Sequence, residues 1–296
     1  MRGRAAGAVV MMVLALIMTS AASQATAAPR SWAAPVKHYV ALGDSYAAGP
    51  GIPTQHGTPA GCARSDHNYS TLLAAALHVR TFTDATCSGA TTVHMTQPQQ
   101  VSGGVAPPQF DALTKDTDLV SVTISGNDTG FGEILATCGA LARQDPTGNP
   151  CEQHYGASGT DELAKRIEKA APLVDAVLAG IRARAPHARV LVVGYLRILP
   201  AQGSCFPTVP FAAGDGPYFD SVERQLNKMV ATEARKAGDR FVDTYTWSYG
   251  HDACQEPGRK WVEGLVPQSP AAPMHPNATG MAVVAGLSLL GTLFPF

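Results

Sequence analysis

The stretch "ARVLVVGY" at residues 188–195 is an unbroken run of strand-forming side chains. A strand that is apolar at nearly every position has both faces covered, which is the pattern of a parallel sheet packed between helices. Three other runs read as strands: "HYVAL" (38–42), "VRTFTDAT" (79–86), which alternates, and "DLVSVTIS" (118–125), which is rich in β-branched residues. Helical patterns stand between them. "YSTLLAAAL" (69–77) is one; in another, Leu163, Ile167, Val174, Leu178 and Ile181 recur at helical steps and form a core stripe. A further helix carries Val222, Leu226, Met229 and Val230, stops at Gly238 and leads into the strand "RFVD" (240–243). The last helix follows Asn277. Strands alternating with helices imply right-handed βαβ units. The expected fold is therefore α/β, a three-layer α/β/α sandwich with a mostly parallel central sheet.

The start of the chain bears on its compartment. Arg2 and Arg4 precede the apolar run "AAGAVVMMVLALIM", and "ATA" at 25–27 offers small residues for cleavage before Ala28. The run is shorter than the ~20 residues of a membrane span. Residues 1–27 are thus expected to be a cleaved signal peptide, and residues 28–296 a single secreted, monomeric domain without stable membrane insertion. With 22 basic and 23 acidic side chains and no basic stripe interleaved with aromatics, nucleic acid is not an expected partner. The six cysteines, Cys62, Cys87, Cys138, Cys151, Cys205 and Cys254, form no CxxC pair, so disulfides are expected rather than a zinc site. Sequence leaves the connectivity open. Pairing of neighbours, Cys62–Cys87, Cys138–Cys151 and Cys205–Cys254, would staple three loop segments.

Ligands of open α/β sheets sit beyond the carboxyl ends of the strands. Three such ends carry small or polar residues. "YVALGDSYAAG" (39–49) places Ser45 on a sharp bend, where it either caps a helix or exposes a nucleophile. "CSGATT" (87–92) contributes Gly89, whose N–H no side chain blocks, and "ISGNDTGF" (124–131) contributes the Asn127 amide. With the Ser45 N–H these make three donors suited to an oxyanion. A serine needs a base, and His275, just before the last helix, is the candidate; the other eight histidines share no metal-ligand spacing.

Taken together and in order, "GDSY", "SGATT", "SGNDTGF" and "HPNATG" resemble the four blocks of the SGNH, or GDSL-type, serine hydrolases. The resemblance spans the chain from Tyr39 onward and extends to secreted actinobacterial esterases and lipases. It implies Ser45 as nucleophile, His275 as general base and acid, and Ser45, Gly89 and Asn127 as the oxyanion hole, with no metal or organic cofactor. Many members place an aspartate three residues before the histidine; here that residue is Ala272, so its backbone carbonyl is expected to orient His275. Asp44 is expected to tie down the serine turn, and Asp128 to brace the third loop. The implied function is a carboxylester hydrolase acting on a small-molecule or lipid acyl ester, an esterase or lipase. Phospholipase or carbohydrate O-acetylesterase activity is the alternative within the family, and an inactive secreted binding protein the alternative outside it. Phe206, Phe211, Tyr218, Phe219, Trp247 and Trp261 either wall an acyl pocket or pack the loops.

Overall fold

The computed structural model describes residues 35–294, so the signal-peptide segment lies outside the described residues. The first strand, β1 (His38–Gly43), runs directly into the one-turn helix α1 (Ser45–Ala48). A short hairpin, β2 (Gln55–His56) and β3 (Arg64–Ser65), precedes α2 (Tyr69–Ala76) and β4 (Thr81–Asp84). A second hairpin follows, β5 (Gln99–Val101) and β6 (Gly104–Ala106), then β7 (Leu119–Thr123). Helices α3 (Phe131–Ala142), α4 (Pro150–Gly156) and α5 (Glu162–Arg184) lead to β8 (Arg189–Val193). The chain ends with α6 (Gly216–Lys236), β9 (Arg240–Val242), α7 (Thr244–Trp247) and α8 (Ala278–Leu293).

The five long-range strands form one parallel sheet in the order β4-β1-β7-β8-β9. From β1 the chain steps outward to β4, then back past β1 to β7 and on to β8 and β9. Right-handed crossovers in opposite directions put α2 on one face and α5 and α6 on the other. The packing agrees: α2 lies against α8, and α5 against α6. Every residue of β7 and β8 is buried, as strands covered on both faces require, whereas the edge strand β4 alternates exposed and half-buried positions. Each Val or Leu so buried contributes ~1.5–3 kcal/mol. The two hydroxyls inside β7 are each matched by a buried phenol, Ser121 by Tyr39 Oη at 2.6 Å and Thr123 by Tyr69 Oη at 3.0 Å.

All three neighbour disulfides are present, Cys62–Cys87, Cys138–Cys151 and Cys205–Cys254. The second differs from expectation in what it joins. Cys138 lies in α3 and Cys151 in α4, so the bridge pins two helices rather than the ends of a loop. Phe131, Ile134, Leu135 and Cys138 carry a helical stripe, and Pro150 at the first position of α4 preorganises its φ.

Sheet order reverses between β1 and β7, and the crevice of such a sheet opens at that switch point. Ser45 follows the end of β1 there. Gly43 makes the closeness possible, because a Cβ at that position would stand 2.5 Å from the Thr123 carbonyl of β7.

Candidate active site

The serine turn is built from its own strand end. Asp44 N–H donates to the Thr123 carbonyl at 2.9 Å, and the Asp44 carboxyl caps α1 by accepting from Tyr46 N–H at 2.9 Å. The cap of this helix is therefore Asp44 and not Ser45, which leaves the Ser45 hydroxyl free for other work. Asp44 is buried and receives a second hydrogen bond, from Tyr195 Oη at 2.6 Å. Tyr195 Oη in turn accepts from Gly126 N–H at 2.7 Å, so one phenol ties the serine turn to the loop that carries Asn127. Burial pushes the Asp44 carboxyl up to about 7, against the lowering effect of these two donors.

His275 Nε2 lies 2.8 Å from Ser45 Oγ. Its Nδ1 lies 2.7 Å from the Pro273 carbonyl, an oxygen that only accepts, so Nδ1 carries the proton and Nε2 presents a lone pair to the serine hydroxyl. This corrects the expectation for Ala272. The Ala272 carbonyl closes a tight turn by accepting from His275 main-chain N–H at 3.2 Å, and Met274, at φ +62°, swings the chain so that the Pro273 oxygen faces the ring instead. Burial pulls the His275 pKa below its usual value, partly offset by the Pro273 carbonyl.

The His275 loop is anchored almost wholly through main-chain atoms. Tyr46 Oη donates to the Met274 carbonyl at 2.8 Å, Glu263 N–H to the His275 carbonyl at 2.9 Å, and Ala272 N–H to the Pro50 carbonyl at 2.7 Å. Asn277 caps α8 by accepting from Gly280 N–H and donates to the buried carboxyl of Glu263. The Tyr46 ring stands 5.3 Å from the imidazole, and Phe131 meets it edge-on at 6.4 Å.

The other two strand-end loops are laced together. Asn127 Nδ2 donates to the Ala90 carbonyl at 2.9 Å, which leaves its second hydrogen available. Asp128 accepts from Thr92 N–H and from Thr92 Oγ1, so it braces the third loop by tying it to the second. Gly89 has φ +77°, and among the described residues neither its N–H nor that of Ser45 has a protein acceptor. The fold thus brings Ser45, His275, Gly89 and Asn127 to one edge of the sheet. It can activate a hydroxyl and offer hydrogen bonds to a developing negative charge.

A pocket shares Ser45, Tyr46 and Asn127 and is walled by Phe131 and Ile134 of α3, Ile167 of α5 and Phe219, Val222 and Leu226 of α6. About 580 Å³ is free of atoms, its mouth included. Of the aromatics singled out in the sequence only Phe219 reaches this wall, with the Phe211 ring tilted against it at 4.1 Å. Trp261 stacks on His251, and Trp247 is exposed. Ile167, read as core, lines the pocket. Tyr195 was hidden in the sequence because it ends an apolar strand run; its position just past a strand end, after Gly194, is the signal that it faces the crevice.

Comparisons with known proteins agree with this architecture. The family model described as GDSL-like Lipase/Acylhydrolase matches residues 41–283. Lipase 2 of Streptomyces coelicolor is 42% identical over 271 residues, covering 90% of this chain and 88% of the relative. A lipase of Streptomyces rimosus is 31% identical over 287 residues, covering 94% of each. Among solved structures, phospholipase A1 from Streptomyces albidoflavus NA297 superposes with a TM-score of 0.71 at 27% identity, covering 88% of this chain and 100% of that one. The extracellular lipase from Streptomyces rimosus does so with a TM-score of 0.71 at 28% identity, covering 87% and 100%.

Proposed function

The chain belongs to the GDSL-like lipase/acylhydrolase family and is a carboxylester hydrolase, and from that premise we propose that it is a secreted, monomeric enzyme that cleaves acyl esters through Ser45 and His275. The observation that carries this reading is the 2.8 Å approach of His275 Nε2 to Ser45 Oγ beside an apolar pocket. His275 takes the Ser45 proton as Oγ attacks the ester carbonyl. The tetrahedral oxyanion is held by Ser45 N–H, Gly89 N–H and Asn127 Nδ2. His275 then protonates the leaving alcohol, and water repeats the sequence on the acyl-enzyme. The Pro273 carbonyl keeps the imidazole in the required tautomer without adding a charge, so catalysis runs on a Ser–His dyad.

The pocket wall is largely aliphatic and aromatic, with Thr129, Glu223 and Asn227 among its polar members, and this balance suits an acyl chain rather than a sugar. We therefore place lipid esters first among substrates. Three disulfides support secretion. No helix among the described residues is long and apolar enough to cross a membrane, and lipid would be met transiently. The test is an acyl series of p-nitrophenyl esters from acetate to palmitate, then emulsified triglyceride and phosphatidylcholine, each beside Ser45→Ala. Ser45-dependent turnover that persists to long chains is expected. Turnover confined to acetate would replace the lipid reading with a short-chain esterase, and turnover surviving in Ser45→Ala would end the proposal.

A further inference from the structure

The peptide unit that joins Ser88 to Gly89 carries the N–H assigned above to the oxyanion, and its carbonyl is gripped by a side chain outside the four sequence blocks. Gln99, at the start of β5, donates from Nε2 to the Ser88 carbonyl at 2.8 Å. The amide orientation follows from chemistry, because the Ser88 oxygen only accepts and Gln99 Oε1 facing it would repel. Gln99 is 7% exposed, and its backbone is set by the hairpin register that places it opposite Ala106. Its Nε2 would stand 3.6 Å from a Cβ added at Gly89.

In a planar trans peptide the C=O and N–H point in opposite directions, so holding one aims the other. Ser88 is held on both sides: its own N–H donates to the Cys62 carbonyl at 3.0 Å, and its carbonyl accepts from Gln99. The peptide that presents Ser45 N–H is treated in the same way, with the Asp44 carbonyl accepting from Ala47 and Ala48 N–H at 3.0 and 2.9 Å. There the helix supplies the clamp; beside Gly89 there is no helix, and a side chain takes its place. Accepting a hydrogen bond at the carbonyl also polarises the peptide and strengthens its N–H as a donor. The Gln99 Oε1 atom is buried and has no partner among the described residues. A buried amide left half-satisfied is costly, and an apolar side chain would fill the space without that cost.

We infer that Gln99 is a positioning residue for ester hydrolysis, aiming the Gly89 N–H at the oxyanion through the Ser88–Gly89 peptide. The inference rests on the proposed role of Gly89. Its test compares wild type, Gln99→Met and Gln99→Ala with Ser45→Ala on p-nitrophenyl butyrate. Inhibition by butylboronic acid is measured in parallel, since its tetrahedral serine adduct sets an oxygen where the oxyanion forms. Both Gln99 variants are expected to lose ~10-fold in kcat with KM within about twofold, a fraction of the ~10²–10³ that loss of a whole oxyanion donor costs. The boronate inhibition constant should rise by the factor that kcat falls. Methionine fills nearly the volume of glutamine, so Gln99→Met, with its thermal midpoint checked, carries the test where Gln99→Ala does not fold. An unchanged kcat in folded Gln99→Met, or a fall in kcat with unchanged boronate affinity, overturns the role of Gln99 alone. Turnover persisting in Ser45→Ala overturns the Ser–His reading and this inference with it.

Discussion

Ser45 stands next to a buried carboxyl, whereas behind His275, 2.8 Å from the serine hydroxyl, the described residues place only a main-chain oxygen. On the serine side the Asp44 carboxyl accepts from Tyr46 N–H and Tyr195 Oη, and the phenol passes the constraint on to Gly126. On the histidine side the Pro273 and Ala272 carbonyls take the ring N–H and the main-chain N–H, and among the described residues no carboxylate bonds to Nδ1. A serine turn has to hold a hydroxyl and an N–H in one geometry, and a buried carboxyl that organises several donors does this well. A general base has to be neutral at rest. A carbonyl fixes its tautomer as a carboxylate does and stabilises the imidazolium less, so the imidazole stays a weak but available base.

Loss of the imidazole tests this difference between the two sides most directly. His275→Ala is expected to lower turnover of an activated ester by ~10⁴-fold or more with the far-ultraviolet circular dichroism unchanged. An Asp→Asn change elsewhere that does equal damage to a folded protein would show that a carboxylate serves His275 after all.

Asp44→Asn probes the serine side. It weakens hydrogen bonds to a carboxyl that braces the turn, and kcat should fall ~10-fold. The same variant has a signature in stability. Because burial raises the folded pKa of Asp44 to about 7, from 3.8, the folded state keeps a proton that the unfolded state loses as pH rises through this window. Stability from this group is therefore lost between those values, on the order of 2 kcal/mol from pH 5 to pH 7. Urea midpoints at the two pH values should show that decline in wild type and a flatter response in Asp44→Asn.

Smaller effects sharpen the histidine side. In the proposed mechanism only neutral His275 accepts the serine proton, so kcat/KM is expected to rise with pH through its pKa, with burial moving that acid limb below the usual 6.5. A pH profile of kcat/KM on a neutral ester reads it directly. Ala272→Asp adds a carboxylate where Nδ1 already has a partner, so kcat is expected to stay within ~3-fold while the acid limb moves upward. A large gain in kcat instead would mean that the carbonyl is a poor substitute for a carboxylate.

The α/β architecture was legible because "ARVLVVGY" is apolar at nearly every position, "DLVSVTIS" is rich in β-branched residues, and the intervening helices keep a helical stripe. Ser45, Gly89, Asn127 and His275 were legible because each stands in a short block of turn residues at a strand or helix end. The support around them was not. Tyr195, Gln99 and Pro273 are separated from the groups they hold by 151, 11 and 2 positions, and their local pattern names no partner, although the place of Tyr195 just past a strand end marks it as facing the crevice. The Cys138 to Cys151 segment was read as a loop because its Gly, Pro and Asp residues are turn formers, yet helices α3 and α4 enter it from both ends.

Sequence alone determined which residues could carry the chemistry and which strands had to be covered on both faces, because hydrophobic period and turn composition are local properties. Only the tertiary structure decided that the Pro273 carbonyl rather than that of Ala272 meets the imidazole, that the pocket beside Ser45 is walled mainly by helices rather than by the aromatic loops, and that Gln99 reaches the Ser88 carbonyl. Those outcomes depend on the direction of single peptide planes and side chains, and these are set by packing between segments far apart in the chain.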